Sequence, residues 1–334
     1  MNARLRSTAG LVPGSALAGV LALAATFVSQ LHGGPQLLYA LFFGIAFHYL
    51  SHEPRTKAGI EFCARQVLRL GVGLLGARIT AAQIAALGWV TAGIVVLAVL
   101  TTLGLGLLLA RRFGLSRAQG VLSGGSVAIC GASAALAIAA VLPRERHGDR
   151  FTLMVVICVT VMSTAAMVVY PLIARAMDLP PELAGLFIGG TIHDVAQVVG
   201  AGYTLGTQAG DTATIVKLFR VSMLAAVVLV VSLAFRAERE RGEPVQAARQ
   251  PLVPWFLWLF GALVALNSAG VIAPALQEGM NLASRAALVL AIAALGMKTS
   301  FMQLAQAGWR PIVLILVETL WMAGLVLAAI AWRG

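Results

Sequence analysis

Nine apolar runs, near residues 10–31, 35–51, 60–77, 89–110, 151–176, 213–235, 252–272, 283–297 and 311–332, constrain this chain more than any single residue does. A helix needs roughly 20 apolar residues to cross a bilayer, and most of these runs come near that length. Without water at membrane depth, backbone N–H and C=O groups must pair inside the segment, so such runs fold as helices. Composition agrees: 60% of the 334 residues are hydrophobic and 11% are charged, more apolar surface than a soluble core could hide. The chain reads as a polytopic all-α membrane protein, one transmembrane domain over 1–334 with about nine full spans in the lipid bilayer.

A formal charge of +11 raises nucleic acid as a partner. The basic residues lie between apolar runs, however, and do not interleave with aromatic residues, so no nucleic-acid partner is expected. They cluster at Arg4/Arg6, His52–Lys57, Arg111/Arg112/Arg117, Pro143–Arg150 and Arg236–Arg249, while the alternate connections carry almost none. The positive-inside rule then gives a cytoplasmic N-terminus, a cytoplasmic linker at 236–250 and a retained first helix rather than a cleaved signal. Cys63, Cys130 and Cys158 lack metal-ligand spacing, and no metal site or cofactor is expected.

Two further segments, near 118–141 and 183–205, are apolar but interrupted. The first carries Ser123-Gly124-Gly125-Ser126 and Cys130-Gly131-Ala132-Ser133, the second Gly189-Gly190-Thr191-Ile192-His193-Asp194 followed by Gln197. Such breaks strip backbone groups of helical partners, which is tolerated only where the backbone is buried in protein or lines a polar cavity. Paired broken helices are the mark of secondary transporters. The basic flanks put both ends of the first segment inside and both ends of the second outside, as for re-entrant hairpins entering from opposite sides. A full crossing by two half-helices uses a similar number of residues and stays open.

Residues 65–90 also align without gaps on 285–310, at an offset of 220, matching Arg65/Arg285, Leu75/Leu295, Gly76/Gly296, Gln83/Gln303, Gly88/Gly308 and Trp89/Trp309. The two copies run in opposite senses through the membrane, so an inverted repeat is expected, its halves including 60–141 and 183–332.

Leu74-Leu75-Gly76-Ala77-Arg78-Ile79, Ser123–Ala135, Gly189–Gly202 and Lys217-Leu218-Phe219-Arg220-Val221 together resemble the YeiH-like membrane proteins, a family commonly labelled sulfate exporters. The resemblance covers nearly the whole chain. It implies a multi-pass transporter of the bacterial inner membrane, related in fold to the bile-acid-symporter and cation/proton-antiporter types.

Ionised side chains are costly at membrane depth, which makes His193 and Asp194 candidates for ion coupling, through a proton or through Na⁺ held by Asp194 and unwound carbonyls. Asp194 is equally placed to cap the half-helix that follows it. Half-helix N-termini at the Gly-Gly breaks would favour an anion. Ser123, Gly124, Gly125, Ser126, Gly131, Ser133, Gly190, Thr191 and Gln197 would shape its pocket, with Lys217 or Arg220 as counter-charge or else snorkelling to the interface. Glu318 lies deep in the last apolar run and needs a cation or a proton.

No catalytic residues are assigned: the chain lacks a Walker loop, a dinucleotide fingerprint, an HExxH pair and a GxSxG elbow. The expected function is secondary active transport of a small anion, of the sulfate, sulfite or organosulfonate class, by alternating access in a homodimer. The alternatives are a passive anion channel and an intramembrane hydrolase using Ser123 or Ser126 with His193.

Overall fold

The structure, a computed structural model, describes residues 10–32, 35–143, 148–236, 254–299 and 309–333, which hold helices and turns and no strand. The expected cytoplasmic linker at 236–250 and the residues 300–308 of the second repeat copy therefore lie almost wholly outside the described residues.

In chain order the helices are α1 (Val12–His32), α2 (Gln36–Ala46), α3 (Pro54–Phe62), α4 (Leu68–Leu74), α5 (Ala81–Ala86), α6 (Gly88–Arg112), α7 (Arg117–Ala128) and α8 (Ala132–Ala139). They continue as α9 (Gly148–Ala176), α10 (Pro181–Thr191), α11 (Val195–Thr204), α12 (Thr207–Ser222), α13 (Leu224–Ala234), α14 (Trp255–Ser268), α15 (Pro274–Lys298) and α16 (Trp309–Arg333). Six stretches among the described residues are long and apolar enough to cross a membrane: 12–32, 88–112, 150–176, 207–234, 274–298 and 309–332. The other expected spans differ. The run at 35–51 holds only the 11-residue α2 before a 3₁₀ turn, and α14 is 14 residues long. The run at 60–77 is pieced together from the end of α3, a π-helical turn at Cys63–Val67, α4 and a 3₁₀ turn.

The chain divides into two compact units, Met1–Leu87 with Trp255–Ser300, and Gly88–Pro254 with Phe301–Gly334. In the first, close helix approaches depend on glycine, as expected where lipid removes the hydrophobic drive and dense packing takes over. A Cβ at Gly59 on α3 would lie 2.6 Å from the Ser15 nitrogen of α1, and one at Gly44 on α2 would lie 2.8 Å from Gly296 Cα of α15. The stretch 71–77 runs antiparallel to α15: Ser284 donates to the Gly71 carbonyl, whereas Gln277, seven residues earlier, donates to that of Ala77.

The second unit holds both interrupted segments, and its close contacts define their path. Glycines 185 and 189 of α10 lie beside Thr212 and Val216 of α12, so these helices run parallel. Gly202, near the end of α11, lies beside Gly210 and Ala213, back at the level where α10 began. Ala174, Pro181, Ala184, Leu205 and Ala209 line one pocket, which brings the start of α10 and the end of α11 to a common mouth. An uninterrupted helix over 181–204 would part those ends by about 35 Å at ~1.5 Å per residue. Residues 181–204 are therefore a hairpin with its tip at 192–194.

The first segment folds the same way. Gly120 and Gly124 of α7 pack on Gly106 of α6, and the Ile138 side chain of α8 lies against Gly125. Thirteen residues of straight helix would separate those two positions by about 20 Å. This hairpin, 117–139, turns at Ile129–Gly131, where Gly131 takes φ +62°.

Helices α12 and α13 act as a ruler for both, since 28 residues at ~1.5 Å each span about 40 Å. The mouth of the second hairpin lies beside Ala209 at the start of this pair. Arg117, at the mouth of the first, stacks on the Phe235 ring at its far end, 5.3 Å from the centroid. The hairpins thus enter the unit from opposite ends and meet tip to tip: a Cβ at Gly131 would lie 3.4 Å from His193 Cβ.

Gly125→Val forces the Ile138 side chain aside and costs about 1–3 kcal/mol, and Ile138→Ala leaves a cavity worth about 2–5 kcal/mol. Combined, they should destabilise less than the sum of the two by at least about 0.5 kcal/mol, read from thermal unfolding of the purified protein in detergent. Strict additivity would contradict the reversal of the first segment.

Candidate functional site

The chain breaks its helices just after the Gly-Gly pairs, not at them. Gly124 faces the Thr102 carbonyl, Gly125 faces Ile138 and Gly190 faces Val326, so these three glycines serve the packing of hairpin arms. The backbone leaves helical geometry at Ile129–Gly131 and Ile192–Asp194. Each break exposes the last carbonyls of one arm and the first N–H groups of the next, which a buried site must satisfy.

Lys217 and Arg220 satisfy the carbonyls. Because α12 begins at Thr207, both residues sit mid-span and fully buried, which removes the snorkelling alternative. Lys217 Nζ donates to the carbonyls of Ile129 at 2.6 Å and Ile192 at 3.0 Å. Arg220 donates from Nη2 to Val127 and Ala128 at 3.0 and 2.8 Å, from Nε to Ala128 at 3.1 Å, and from Nη1 to Gly189 and Ile192 at 3.1 and 3.2 Å. Each cation therefore holds both tips. Cations are favoured at helix C-termini by the macrodipole as well as by these bonds.

The N-terminal ends are treated unequally. At α11, Asp194 Oδ1 accepts from the Ala196 N–H at 2.9 Å and the Asp194 N–H donates to Ser163 Oγ at 3.0 Å. At α8 the cap is Gly131, which has no side chain to offer. His193, fully buried, bonds Thr319 Oγ1 through Nε2 at 2.9 Å, and Thr319 in turn donates to the Ile315 carbonyl at 2.7 Å. His193 Nδ1 and Gln197 Oε1 are buried without hydrogen-bond partners, while Gln197 Nε2 reaches Thr164 Oγ1 at 3.4 Å.

Of the expected site residues, Gly131 of the pocket set, the coupling candidates His193 and Asp194 and the counter-charges Lys217 and Arg220 converge at the tips, with Gln197 one turn away. Ser126, Ser133 and Thr191 bond carbonyls of their own segments, those of Leu122, Cys130 and Phe187. Ser123 points elsewhere, to Glu318 on α16. Neither Ser123 nor Ser126 bonds His193, so the dyad of the hydrolase alternative is not formed. Ser163, Thr164 and Thr319 were missed as partners of the tips. Their signal is a hydroxyl residue inside an apolar run, weak because such residues also bond their own helix, as Thr164 does to Thr160.

The family described as Conserved hypothetical protein 698 matches residues 10–315. The chain belongs to this family. It is 48% identical over 312 residues to the UPF0324 membrane protein TauZ of Paracoccus denitrificans, covering 93% of this chain and 92% of that one. It is 48% identical over 323 residues to a UPF0324 membrane protein of Chlorobaculum tepidum, covering 96% and 90%, and 46% identical over 323 residues to one of Rhizobium meliloti, covering 96% and 93%. The YeiH-like resemblance carried by the four sequence stretches therefore stands at the level of the family, and the chain is a membrane protein. No solved structure matches it.

Arg220→Ala strips hydrogen bonds from four buried carbonyl groups, at about 1.5–3 kcal/mol for each bond to a charged donor. It should lower the thermal unfolding midpoint far more than Asp194→Ala, which loses one cap worth about 0.5–2 kcal/mol. Arg220→Lys should rescue little, because an ammonium has three donors and cannot replace the five bonds that the guanidinium makes to four carbonyls. Equal midpoints for Arg220→Ala and Asp194→Ala would contradict the clamp.

Proposed function

We propose that the protein is a secondary transporter that moves a small anion by alternating access. The observation that carries this reading is the meeting of two hairpin tips, drawn from opposite ends of one unit, on a pair of buried cations. A site so placed sits one hairpin's depth from either face, and a modest shift of one hairpin or the other opens it to one side at a time.

The electrostatics favour an anion. The four half-helix ends at the tips contribute about half a charge each and cancel in pairs. That leaves Lys217 and Arg220 against the one carboxylate of Asp194. The uncapped start of α8 adds free N–H groups beside Gly131. The sulfate, sulfite or organosulfonate class rests on the YeiH-like resemblance, and its oxygens suit backbone N–H and ammonium donors.

Asp194 and His193 remain the coupling residues of this reading, with H⁺ or Na⁺ as the driving ion. Arg111, Arg112 and Arg117 near the mouth of the first hairpin, against Arg175 alone near that of the second, favour a cytoplasmic first mouth in this reading, by the positive-inside rule. The inner membrane, the cytoplasmic N-terminus, the inverted repeat and the kinship with bile-acid symporters and cation/proton antiporters belong to the same proposal. So does a homodimer joined through the unit that carries none of the site.

The test is uptake of labelled sulfate, sulfite and small sulfonates into proteoliposomes, with and without pH and Na⁺ gradients. Saturable uptake driven by a gradient and subject to counterflow is expected. Asp194→Asn keeps an oxygen for the cap but removes the charge, and should cut gradient-driven uptake at least about tenfold. Flux that neither saturates nor shows counterflow would make the protein a channel, and full uptake by the Asn variant would leave Asp194 as a cap alone.

A further inference from the structure

Glu318 lies within α16, fully buried, one turn before Met322, whose Sδ accepts from Arg220. Its Oε1 is 2.8 Å from Ser123 Oγ, and its Oε2 has no hydrogen-bond partner. We propose that Glu318 and Ser123 form a proton-binding site whose loading ties the first hairpin to α16.

The argument is a count of hydrogens. Ser123 Oγ carries one proton, yet it lies near two acceptors, Glu318 Oε1 at 2.8 Å and the Gly120 carbonyl at 3.2 Å. A proton on Glu318 Oε1 resolves this: the carboxyl donates to Ser123 Oγ and Ser123 donates to Gly120. Without that proton, a carboxylate at membrane depth would keep one neutral donor and a bare second oxygen, an arrangement costing several kcal/mol. The space is shaped for the group, since a Cβ at Gly106 would lie 2.8 Å from Oε1. Helices α6 and α7 bring Gly106, Gly120 and Ser123 to it, none of them titratable. The titratable and charged groups reaching α16 from the hairpin tips and α12 are His193, on Thr319, and Arg220, whose Nη2 donates to Met322 Sδ at 3.3 Å. Lys217 spends its ammonium on the tip carbonyls. Among the described residues, no ion pair neutralises Glu318.

The position gives the site its consequence. Ser123 belongs to the first hairpin, while Thr319, the next residue after Glu318, holds His193 at the tip of the second. Release transfers the proton from Oε1 to water, and water reaches it only if α7 draws away from α16. Loading favours the packed arrangement, and unloading favours a displaced first hairpin. This coupling role rests on the transport reading above, whereas the proton site itself does not.

Infrared spectra of the purified protein at neutral pH test the site directly. The C=O stretch of a protonated carboxylic acid should be present in the wild type and lost in Glu318→Gln. In Ser123→Ala it should persist but move to higher frequency, as the hydrogen bond disappears. Should Glu318→Gln not fold, the Ser123→Ala shift decides alone. Loss of carboxylate bands instead, or their Na⁺-dependent change, would overturn the assignment in favour of an ionised or sodium-binding Glu318. In proteoliposomes, Glu318→Gln should reduce pH-gradient-driven uptake at least about tenfold. Uptake as strong as the wild type's would overturn the coupling role. A wild type that shows the infrared band but transports nothing would sink the carrier reading and leave the proton site standing.

Discussion

Two half-helices ending at membrane depth leave carbonyls that neither water nor lipid can satisfy, and the second unit is organised around the two side chains that satisfy them. Lys217 and Arg220 reach Val127, Ala128 and Ile129 on one tip and Gly189 and Ile192 on the other. Neither hairpin could be buried where it is without them. The clamp also explains why the tips meet: one short stretch of α12 serves both, so both must come to its middle. Burying two cations is costly in its own right, and the charge-assisted bonds to carbonyls at dipole ends offset that cost.

The glycines set how near the arms can come. Gly185, Gly189, Gly202 and Gly210 let α10 and α11 lie on the same turns of α12, and Gly106, Gly120 and Gly124 do the same for α7 against α6. Backbone contact at these crossings fixes the depth of each hairpin, and hence the register in which the tip carbonyls meet the cations. Packing and electrostatics thus act on different residues toward one geometry. The Gly-Gly pairs, conspicuous in the sequence as signs of a break, contribute to the packing and leave the break to the residues that follow.

The helices, the two interrupted segments and the family were legible in the sequence because each rests on a local pattern: an apolar run, a Gly-Gly-hydroxyl cluster, four short stretches. The choice between hairpin and crossing was not, since both use the same residues, and contacts such as Gly125 with Ile138 decide it only in three dimensions. The setting of Lys217 and Arg220 was hidden by the polar start of α12, Thr207–Thr214, which reads as a connection and makes both cations look like residues near a helix end. Thr212, Thr214 and Asp211 are tolerated because they are buried against protein, with Thr214 bonding the Gly210 carbonyl and Tyr203 bonding Asp211. The Glu318 to Ser123 bond joins residues 195 apart, beyond any pattern of spacing. Among the described residues six helices are long and apolar enough to cross a membrane, and the other expected runs are ones that hydropathy alone does not show to be segmented, such as the helix interrupted by the π-helical turn at Cys63–Val67.

The two hairpins are not held alike. The second carries its own cap, Asp194, and is tied to α9 through Ser163, to α12 by four glycines and to α16 through His193 and Thr319. The first turns at a glycine with no cap, and its first arm meets α16 through a carboxyl group. Under the carrier reading, the change of partners then falls most readily on the first hairpin. Moving it frees the carbonyls of Val127, Ala128 and Ile129 from the clamp and leaves Lys217 and Arg220 with donors to spare, at the moment the uncapped start of α8 also moves. An anion arriving at the tips could accept from both cations in place of those carbonyls, so that binding the anion and releasing the hairpin become alternatives for the same donors. Competition of this kind couples occupancy to conformation through differential contacts in the two states, which is the thermodynamic requirement for a ligand to shift an equilibrium.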